Sequence, residues 1–368
     1  MTRAAITGTG VFTPRESITN DELVAAFNAY ADRRNAEGAD PPVPHSSAEF
    51  ITKASGIERR YVLDKSGVLD PDRMYPKLPE RADDQPSLMA EMAVDAATAA
   101  LSQAGVGASQ IDAVICAASN HERAYPAIAI EIQQLMGTQG FAFDMNVACS
   151  SATFGIQAAA DMIRAGSIRK ALIVNPEICS AHLEWRDRDC HFIFGDVCTA
   201  VVLEREEDAA QKPRWTIDST RCATQFSNNI RNNDGFLRRT RDAMEDRRDM
   251  QFVQEGRKVF KEVLPLVSNH IASHMADAGW QADDLDRVWL HQANKSMNDF
   301  IGRKVLGREP EPGEQPNILQ DYANTSSAGS IIAFSKYQDG LGDGARGIIC
   351  SFGAGYSVGS VLVERRAP

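Results

Sequence analysis

Short apolar runs alternate along the chain with longer stretches in which apolar residues recur at helical spacing. Residues 112–118 and 170–175 are apolar runs that predict buried strands, whereas 87–103 has helical spacing and is followed by Gly105. Further strands are predicted at 4–7 and 199–203. Because strands alternate with helices, the pattern predicts a largely parallel sheet that is covered by helices.

Capping residues and prolines mark the boundaries of further elements. Thr19 and Glu22 form a capping-box pattern that predicts a helix over 19–27, and a proline near its start favours another helix over 125–136. The polar, proline-rich stretches 33–47 and 64–86 predict long surface loops. Loops of this length inside a compact domain often have a function.

The stretch 141–166 has the most distinctive pattern. Residues 141–147 predict the end of a buried strand, and 150–164 predicts a helix that stops before Gly166. Cys149 therefore lies at a strand-to-helix turn. The free amides and the dipole at the start of the helix favour a thiolate, so we expect a lowered pKa and a nucleophilic sulfur. The alternative is an inert cysteine that packs beside small residues.

The second half of the chain repeats the first. The small and polar positions of 104–120 recur in 278–294, at an offset of 174 residues (278 minus 104). Weaker matches in the same order pair 150–152 with 326–328, 171–174 with 347–350, and 201–205 with 361–365. We therefore predict two similar α/β halves, 1–205 and 206–368, which usually pack about a pseudo-two-fold axis. A shared site is expected where the carboxyl ends of their strands meet.

The repeat identifies two partners for the cysteine. His291 follows a predicted strand, and Asn324 lies in the segment that duplicates the Cys149 turn. Individually, His291 fits a core histidine and Asn324 a helix cap. Their equivalent positions in a duplication favour a single site instead, so we expect Cys149, His291 and Asn324 to face one cavity.

The same three residue types, in the same order, also describe a papain-like cysteine hydrolase. His291 lies 142 residues after Cys149 (291 minus 149), within the spacing of that family, but Asn324 lies 175 residues after it (324 minus 149). The Cys-Gly-Ser-Cys-Trp signature is absent around Cys149. A cysteine hydrolase therefore stays a minor alternative.

Composition excludes several classes of protein. A chain of 368 residues with 43% hydrophobic residues can bury a full core, and a net charge of -11 argues against a general nucleic-acid binder. Its 7 cysteines are scattered without a C-x-x-C pair, which suggests neither a disulfide framework nor a zinc site. We expect a cytoplasmic protein without a membrane segment, because no long apolar run and no secretory signal pattern is present.

Five motifs together carry a family resemblance that runs nearly end to end. The motifs DMNVACSSATFGIQ, FIFGD at 192–196, LHQAN at 290–294, YANTSSAGS at 322–330 and SFGAGYSVGS at 351–360 resemble the beta-ketoacyl-ACP synthase III branch of the thiolase superfamily. The resemblance implies a duplicated, five-layered αβαβα thiolase fold with two mixed sheets, and a homodimer. It also implies a decarboxylative Claisen condensation, in which an acyl group from acyl-CoA is extended by malonyl-ACP (acyl carrier protein).

The resemblance assigns a role to each residue of the predicted site. Cys149 attacks the acyl thioester, and the backbone amides of Cys149 and Ala354 form the oxyanion hole. Family members often have glycine where this chain has Ala354, but alanine supplies the same N–H. His291 and Asn324 stabilise, as neutral donors, the enolate that decarboxylation leaves. This chemistry requires no metal and no redox cofactor.

The resemblance also implies contacts to substrate and carrier. Phe50 stands where the family has an adenine-stacking tryptophan, Lys53 substitutes for an arginine whose place Ala54 takes, Arg188 clamps the adenine, and Asn294 contacts pantetheine. Tyr125 reaches the acyl pocket of the partner subunit. An acidic carrier protein needs a local basic patch on this acidic enzyme. The candidates are Arg257, Lys258, Lys261, Lys295, Arg303 and Lys304.

The length of the acyl primer and the role of Glu122 leave alternatives open. The loops 33–47 and 64–86, with the small residues 150–152, resemble a subgroup that is primed by a medium-chain acyl-CoA such as octanoyl-CoA and makes 3-oxodecanoyl-ACP. Acetyl-CoA priming is the alternative. Glu122 would suggest head-to-head condensation of two acyl-CoAs if it took part in the chemistry, but a surface glutamate is favoured. A non-catalytic homologue is disfavoured by the intact Cys, His and Asn set.

Overall fold

The computed structural model describes residues 2–232 and 250–368, in which strands and helices alternate as predicted. The strands are β1 (Ala4–Phe12), β2 (Glu16–Thr19), β3 (Arg59–Val62), β4 (Ala113–Ala117), β5 (Phe141–Met145), β6 (Lys170–Glu177), β7 (Val197–Arg205), β8 (Arg214–Ser227), β9 (Ile230–Arg231), β10 (Val253–Gln254), β11 (Arg287–Leu290), β12 (Arg346–Gly353) and β13 (Gly355–Arg366). The helices are α1 (Asn20–Ala36), α2 (Ala48–Ser55), α3 (Leu88–Ala104), α4 (Ile128–Met136), α5 (Ser151–Arg164), α6 (Gly256–Asp277), α7 (Lys295–Leu306), α8 (Leu319–Tyr322) and α9 (Gly329–Tyr337). In these two ranges no helix has the length and apolar content that crossing a bilayer requires.

Nine strands form the main sheet, in the order β11-β12-β13-β8-β1-β7-β6-β4-β5. Three neighbouring pairs are parallel and five are antiparallel, so the prediction of a largely parallel sheet is wrong. No α-helix separates β6 from β7 or β12 from β13, and strands connected in this way can pair antiparallel. The strands of the two halves follow the same pattern: β4 and β6 are parallel, and β7 and β1 continue antiparallel, just as β11 and β12 are parallel and β13 and β8 continue antiparallel. The two predicted sheets are joined at the centre, where Ala5 pairs with Thr216 and Ile6 with Trp215. β7 ends at Arg205, but the boundary between the halves stays a prediction.

Five layers are evident from how the two faces of each strand are covered. Along β6, Ala171 and Ile173 belong to the cluster around α5, whereas Leu172 and Val174 belong to the cluster under α3 and α4. Strands alternate their side chains between faces, so each half of the sheet is covered on both sides. α5 contacts strands of both halves, and α6 and α7 cover the outer face of the second half. The thiolase-like αβαβα fold is therefore confirmed.

Two helix boundaries differ from the sequence prediction. α1 continues to Ala36 instead of ending near residue 27, because its later turns include several alanines and two arginines, which favour a helix, and bury Ala31 against the core. α4 begins at Ile128 instead of residue 125. The carboxylate of Asp144, on β5, accepts hydrogen bonds from the backbone N–H groups of Ile128 and Ala129 and so fixes that start. A cap supplied from another strand is not visible in the local sequence.

Candidate active site

Cys149 lies between β5 and α5, at the strand-to-helix turn that the sequence predicted. The turn is held by Ser151, whose hydroxyl accepts from the Val147 N–H at 2.8 Å and donates to the Ala148 carbonyl at 2.7 Å. The end of β12 approaches closely: a Cβ at Gly353 would lie 2.6 Å from the Cβ and 3.0 Å from the Sγ of Cys149. Only glycine therefore fits at position 353.

The expected lowering of the Cys149 pKa is wrong. Burial raises the pKa of this thiol to about 11, and the negative charge of Glu177 adds to the rise. The Ser326 hydroxyl, which donates to Sγ at 3.4 Å, and the backbone N–H groups of Ala354 and Cys149 act in the opposite direction. Desolvation outweighs these donors and the helix dipole. The sulfur is thus a thiol at neutral pH and loses its proton only as it reacts.

The donors around the sulfur include both amides that the sequence assigned to an oxyanion hole. The N–H groups of Cys149 and Ala354 lower the pKa of the thiol because they are directed at the sulfur. Ala354 lies between Gly353 and Gly355, where the chain passes from β12 to β13. An alanine there keeps its backbone donor, so the substitution for glycine leaves this geometry intact.

His291 follows β11, as predicted, and its side chain is buried. Its backbone N–H donates to the Cys350 carbonyl at 2.7 Å, which extends the pairing of β11 with β12 by one residue. The imidazole packs edge-on against Phe352, with 5.1 Å between ring centroids. Burial lowers the pKa of His291 to about 4, so the ring is neutral at physiological pH and retains one N–H donor.

Asn324 is buried in the turn that follows α8. Its Oδ1 accepts from the Ser326 N–H at 2.8 Å, which fixes the orientation of the carboxamide, since only the oxygen can accept this bond. The backbone of Asn324 is bound on both sides, to the Ile193 carbonyl at 2.9 Å and to the Gly195 N–H at 3.1 Å. The FIFGD segment therefore positions the asparagine, and its Nδ2–H groups are left for the cavity.

One cavity of about 640 Å³ is lined by Cys149, His291 and Asn324 together. Residues of α2, α6 and α7 line it farther from the cysteine, among them Phe50 and Arg257. The two halves of the fold thus bring a thiol, a neutral imidazole and a carboxamide around a common space. This is the arrangement that the sequence predicted, whereas the chemical roles of the three groups stay predictions.

Phe50 and Arg188, the residues assigned to adenine, contact each other directly. The Arg188 guanidinium lies 4.0 Å from the centroid of the Phe50 ring, and its Nε donates to the His45 carbonyl at 2.7 Å. The predicted loop 33–47 therefore supports this pair. No adenine ring fits between the two side chains at that separation, so a bound base must separate them or lie beside them.

Lys53 and Asn294 differ in their relation to the cavity. Lys53 is exposed and lies outside the cavity lining, although its neighbour Ala54 belongs to it. Asn294 lines the cavity as the N-cap of α7, where its Oδ1 accepts from Ser296 and its Nδ2 donates to the Ala54 carbonyl at 2.6 Å. The Nδ2 group has a second N–H, so a pantetheine contact by Asn294 is compatible with the bond to Ala54.

The predicted basic patch lies on α6 and α7, which pack together beside the cavity. All six residues are exposed, and Arg257 also lines the cavity. Acidic neighbours partly neutralise the patch: Lys258 pairs with Glu255, Lys295 with Asp299 and Arg303 with Glu309. Within residues 2–232 and 250–368, Arg257, Lys261 and Lys304 have no such acidic partner, and of these three Arg257 lies at the cavity.

Tyr125 and Glu122 lie outside the lining of this cavity. The Tyr125 side chain is 84% exposed, so its role at a partner subunit stays a prediction. The Glu122 carboxylate accepts from the backbone N–H groups of Leu88 at 3.3 Å and Met89 at 2.8 Å, at the start of α3. This contact gives Glu122 a structural role as a helix cap and supports the surface-glutamate interpretation.

Sequence reasoning missed two residues of the site, Ser326 and Glu177. Ser326 was noticed only as part of a repeated motif, although its hydroxyl donates to the cysteine sulfur. Glu177 ends the buried strand β6 and is 1% exposed. Burial raises the pKa of Glu177 to about 7. An acidic residue that directly continues an apolar strand was the available signal.

Among the side chains of residues 2–232 and 250–368, one group has the residue types of a metal site. The ligand atoms of Cys116, His121 and Asp144 lie within 4.8 Å of one another. Both oxygens of Asp144 already accept backbone N–H groups at the start of α4, and burial raises the pKa of Cys116 well above its usual value. A neutral thiol and a carboxylate whose oxygens already accept hydrogen bonds are poor metal ligands. We therefore assign these residues to the fold.

The chain is similar to one family over almost its whole length. Residues 143–224 match the family described as 3-Oxoacyl-[acyl-carrier-protein (ACP)] synthase III, and residues 275–365 match its C-terminal counterpart. A Beta-ketodecanoyl-[acyl-carrier-protein] synthase of Pseudomonas aeruginosa is 55% identical over 347 residues, which cover 92% of this chain and 99% of the relative. A Beta-ketoacyl-[acyl-carrier-protein] synthase III of Acidiphilium cryptum is 30% identical over 368 residues, or 99% of this chain and 100% of the relative.

A solved structure supports the fold. The crystal structure of 3-oxoacyl-(acyl carrier protein) synthase III from Pseudomonas aeruginosa PAO1 matches with a TM-score of 0.76 and 23% identity. The match covers 100% of this chain and 99% of that chain. At this identity the structural similarity shows a common fold, and membership of the family rests on the sequence matches.

Proposed function

The chain belongs to the 3-oxoacyl-[acyl-carrier-protein] synthase III family, acyltransferases that condense an acyl primer with malonyl-ACP, and we propose that its primer is a medium-chain acyl-CoA such as octanoyl-CoA. The product would then be 3-oxodecanoyl-ACP. The observation that supports a medium-chain acyl primer is the 55% identity to a relative named Beta-ketodecanoyl-[acyl-carrier-protein] synthase. The cavity that holds Cys149, His291 and Asn324 together supports the chemistry. Acetyl-CoA priming stays the alternative.

The first step loads the acyl group on Cys149. The sulfur attacks the thioester carbonyl, the bond to the CoA sulfur breaks, and the proton lost by Cys149 leaves with CoA. The amides of Cys149 and Ala354 donate to the tetrahedral oxyanion. Because one thioester replaces another, the acyl group remains activated. Because burial keeps the Cys149 thiol protonated at neutral pH, its proton must leave as the sulfur attacks.

The second step removes carbon dioxide from malonyl-ACP. The electrons of the broken carbon–carbon bond form an enolate on the thioester, and His291 and Asn324 donate hydrogen bonds to its oxygen. Each donor contributes about 2.7 to 4 kcal/mol, by analogy with measured oxyanion-hole deletions. The enolate carbon then attacks the acyl group, and the Cys149 sulfur is the leaving group. The neutral His291 ring supports a donor role.

The remaining assignments follow from family membership and position. We assign a homodimer in which Tyr125 reaches the partner's acyl pocket, a carrier-protein contact centred on Arg257, and the division into halves at residue 205. The mechanism requires no metal or redox cofactor, and we place the enzyme in the cytoplasm. The small residues 150–152 beside the nucleophile leave room for an acyl tail.

A panel of radiolabelled acyl-CoAs tests this proposal. We expect covalent labelling of Cys149 that is strongest with octanoyl-CoA, followed by carbon dioxide release and label transfer when malonyl-ACP is added. Label that survives Cys149→Ala would contradict the nucleophile. Strongest labelling with acetyl-CoA would favour the alternative primer, and labelling that decays by hydrolysis without condensation would favour a cysteine hydrolase.

A further inference from the structure

The turn at 324–327 contacts each group of the candidate site. The Ser326 hydroxyl donates to the Cys149 sulfur at 3.4 Å, and the Ser326 N–H donates to the Asn324 carboxamide at 2.8 Å. The backbone of Ser326 also interacts with the His291 imidazole. Ser326 has a φ of 51°, in the left-handed region that a residue with a side chain seldom adopts. Contacts from outside the turn are therefore needed to hold it.

Glu177 supplies such contacts. Its carboxylate accepts from the Ser327 N–H at 3.2 Å and from the Ser327 hydroxyl, which fastens the turn to the end of β6. The same carboxylate accepts from the Ser119 N–H at 2.9 Å and the Ser119 hydroxyl at 2.5 Å, beyond the end of β4. A carboxylate has acceptor sites for these four donors, and a glutamine does not. The Cys179 thiol, whose Sγ lies 3.8 Å from Oε2, is a weaker fifth donor.

We infer that Glu177 is a positioning residue for the condensation step, which holds the 324–327 turn so that Asn324 and Ser326 keep their places around Cys149. Glu177 acts through Ser327 and does not line the cavity itself. This inference rests on the function proposed above. It predicts that loss of the carboxylate disturbs decarboxylation more than acyl loading, because the loading oxyanion is held by amides outside this turn.

Protonation of Glu177 can be followed in a pH profile, because the neighbouring thiols do not titrate in the same pH range. Burial raises the pKa of Glu177 to about 7, whereas the thiols on which its charge acts all have raised pKa values and stay protonated near neutrality. These thiols are Cys116, Cys149, Cys179 and Cys198. The Ser327 hydroxyl has a second acceptor, the Ala117 carbonyl at 3.3 Å. Protonation of Glu177 therefore lets this hydroxyl turn away and loosens the turn.

Glu177→Gln in the full-length enzyme tests the inference. Acyl loading is measured as label on Cys149, and decarboxylation as carbon dioxide release by the pre-acylated enzyme from malonyl-ACP, both between pH 5.5 and 8.5. We expect roughly 10- to 100-fold slower decarboxylation with loading changed by about twofold at most. The wild-type decarboxylation rate should rise through an inflection near pH 7 that the variant lacks.

Glu204→Gln is the matched control, because Glu204 is another fully buried carboxylate that lies at the opposite end of the neighbouring strand β7. It pairs with Lys170 and Lys212 and has no contact with the turn. Its removal should lower stability but keep the wild-type ratio of decarboxylation to loading. A Glu204→Gln variant that reproduces the Glu177→Gln ratio would contradict a specific positioning role.

Two serine variants test the inference without removing the carboxylate. Ser327→Ala and Ser119→Ala each delete one hydroxyl donor to Glu177, so both should shift the pH inflection upward. Only Ser327 belongs to the turn, and only Ser327→Ala should selectively slow decarboxylation. If Glu177→Gln does not fold, these two serine variants test the positioning role of Glu177 in its place.

The outcomes distinguish a failure of the proposed function from a failure of the proposed role of Glu177. A wild-type enzyme that neither loads acyl groups nor decarboxylates malonyl-ACP would contradict the proposed function. A wild type that does both, with Glu177→Gln and Ser327→Ala variants that keep its rates and its pH profile, would overturn the role of Glu177 alone.

Discussion

At the scale of single residues, the site depends on the close approach of backbone groups to Cys149 as much as on reactive side chains. Gly353 brings the end of β12 against Cys149, and its neighbour Ala354 directs an N–H at the sulfur. Neither contact involves a side chain with chemistry of its own. The positions of backbone donors therefore constrain this part of the sequence as strictly as the nucleophile does.

Gly353→Ala should abolish acyl loading. Its new Cβ would lie 2.6 Å from the Cβ of Cys149, so the cysteine or β12 must move and the oxyanion donors lose their alignment. We expect at least a roughly 100-fold slower appearance of acyl-enzyme by mass spectrometry. Gly107→Ala is the control, because the nearest atom to its new Cβ lies 3.6 Å away. Equal loading by both variants would contradict the tight packing at Cys149.

Cys149 shows where residue-level prediction from sequence stops. Its position at the start of a helix was predictable from the apolar pattern, and so was its partnership with His291 and Asn324. Its pKa was not, because burial raises it and groups distant in sequence, such as Gly353 and Ser326, pack against the sulfur. Ser326 and Glu177 were missed for the same reason: their partners are distant in sequence.

At the scale of elements, the start of a helix was predictable where its cap is local. Ser87 caps α3 by accepting from the Ala90 N–H, with Glu122 as a second acceptor, and the sequence predicted α3 to within one residue at each end. α4 has no local side-chain cap, and its start was misplaced. Asp144 on β5 supplies the anion there, so the start of α4 depends on a residue that is distant in sequence.

Glu122→Gln should weaken α3 without impairing condensation. Loss of the negative charge at the helix start should lower the free energy of unfolding by about 0.3 to 1 kcal/mol, as measured by urea denaturation. Condensation with a single acyl-CoA and malonyl-ACP should continue at the wild-type rate. A variant with unchanged stability but little activity would instead indicate a chemical role for Glu122, as a head-to-head condensation would require.

At the scale of the whole molecule, the repeated strand pattern places the reactive groups. Cys149 follows β5 in the first half, and His291 follows β11 in the second, so only the packing of both halves completes the cavity. The internal repeat made this predictable from sequence. The join of the two sheets between β1 and β8 was not predictable, because only two residue pairs make it.

Folding keeps several histidines neutral, which makes stability depend on pH. Burial lowers the pKa of five histidines to about 3 or 4. They are His182, His191, His270, His274 and His291. Below their unfolded pKa of 6.5 the unfolded chain binds more protons than the native one, so stability falls as pH decreases towards 4. Glu177 and Asp196, whose pKa values are raised to about 7 and 6, act in the opposite direction.

Five groups outweigh two, so acidification should destabilise the protein. We expect the free energy of unfolding, measured by urea denaturation, to fall between pH 6.5 and pH 4.5 by up to about 1.4 kcal/mol per histidine and pH unit before the acids are counted, and the urea midpoint to fall with it. Between pH 8 and pH 9 the midpoint should fall again as pH rises, because cysteines of the unfolded chain, with a pKa of about 8.5, lose protons that the buried thiols retain. A midpoint that rises on acidification would contradict the burial of neutral histidines.

The two partial reactions of His291→Ala and Asn324→Ala, measured side by side, test whether these side chains stabilise the enolate of a condensing enzyme. Both variants should load labelled octanoyl-CoA on Cys149 at nearly the wild-type rate, because the loading oxyanion uses backbone amides. Both should lose roughly 100- to 1,000-fold in carbon dioxide release from malonyl-ACP, because each removes one donor to the enolate. Variants that decarboxylate as fast as the wild type would contradict a condensing site built from these three side chains.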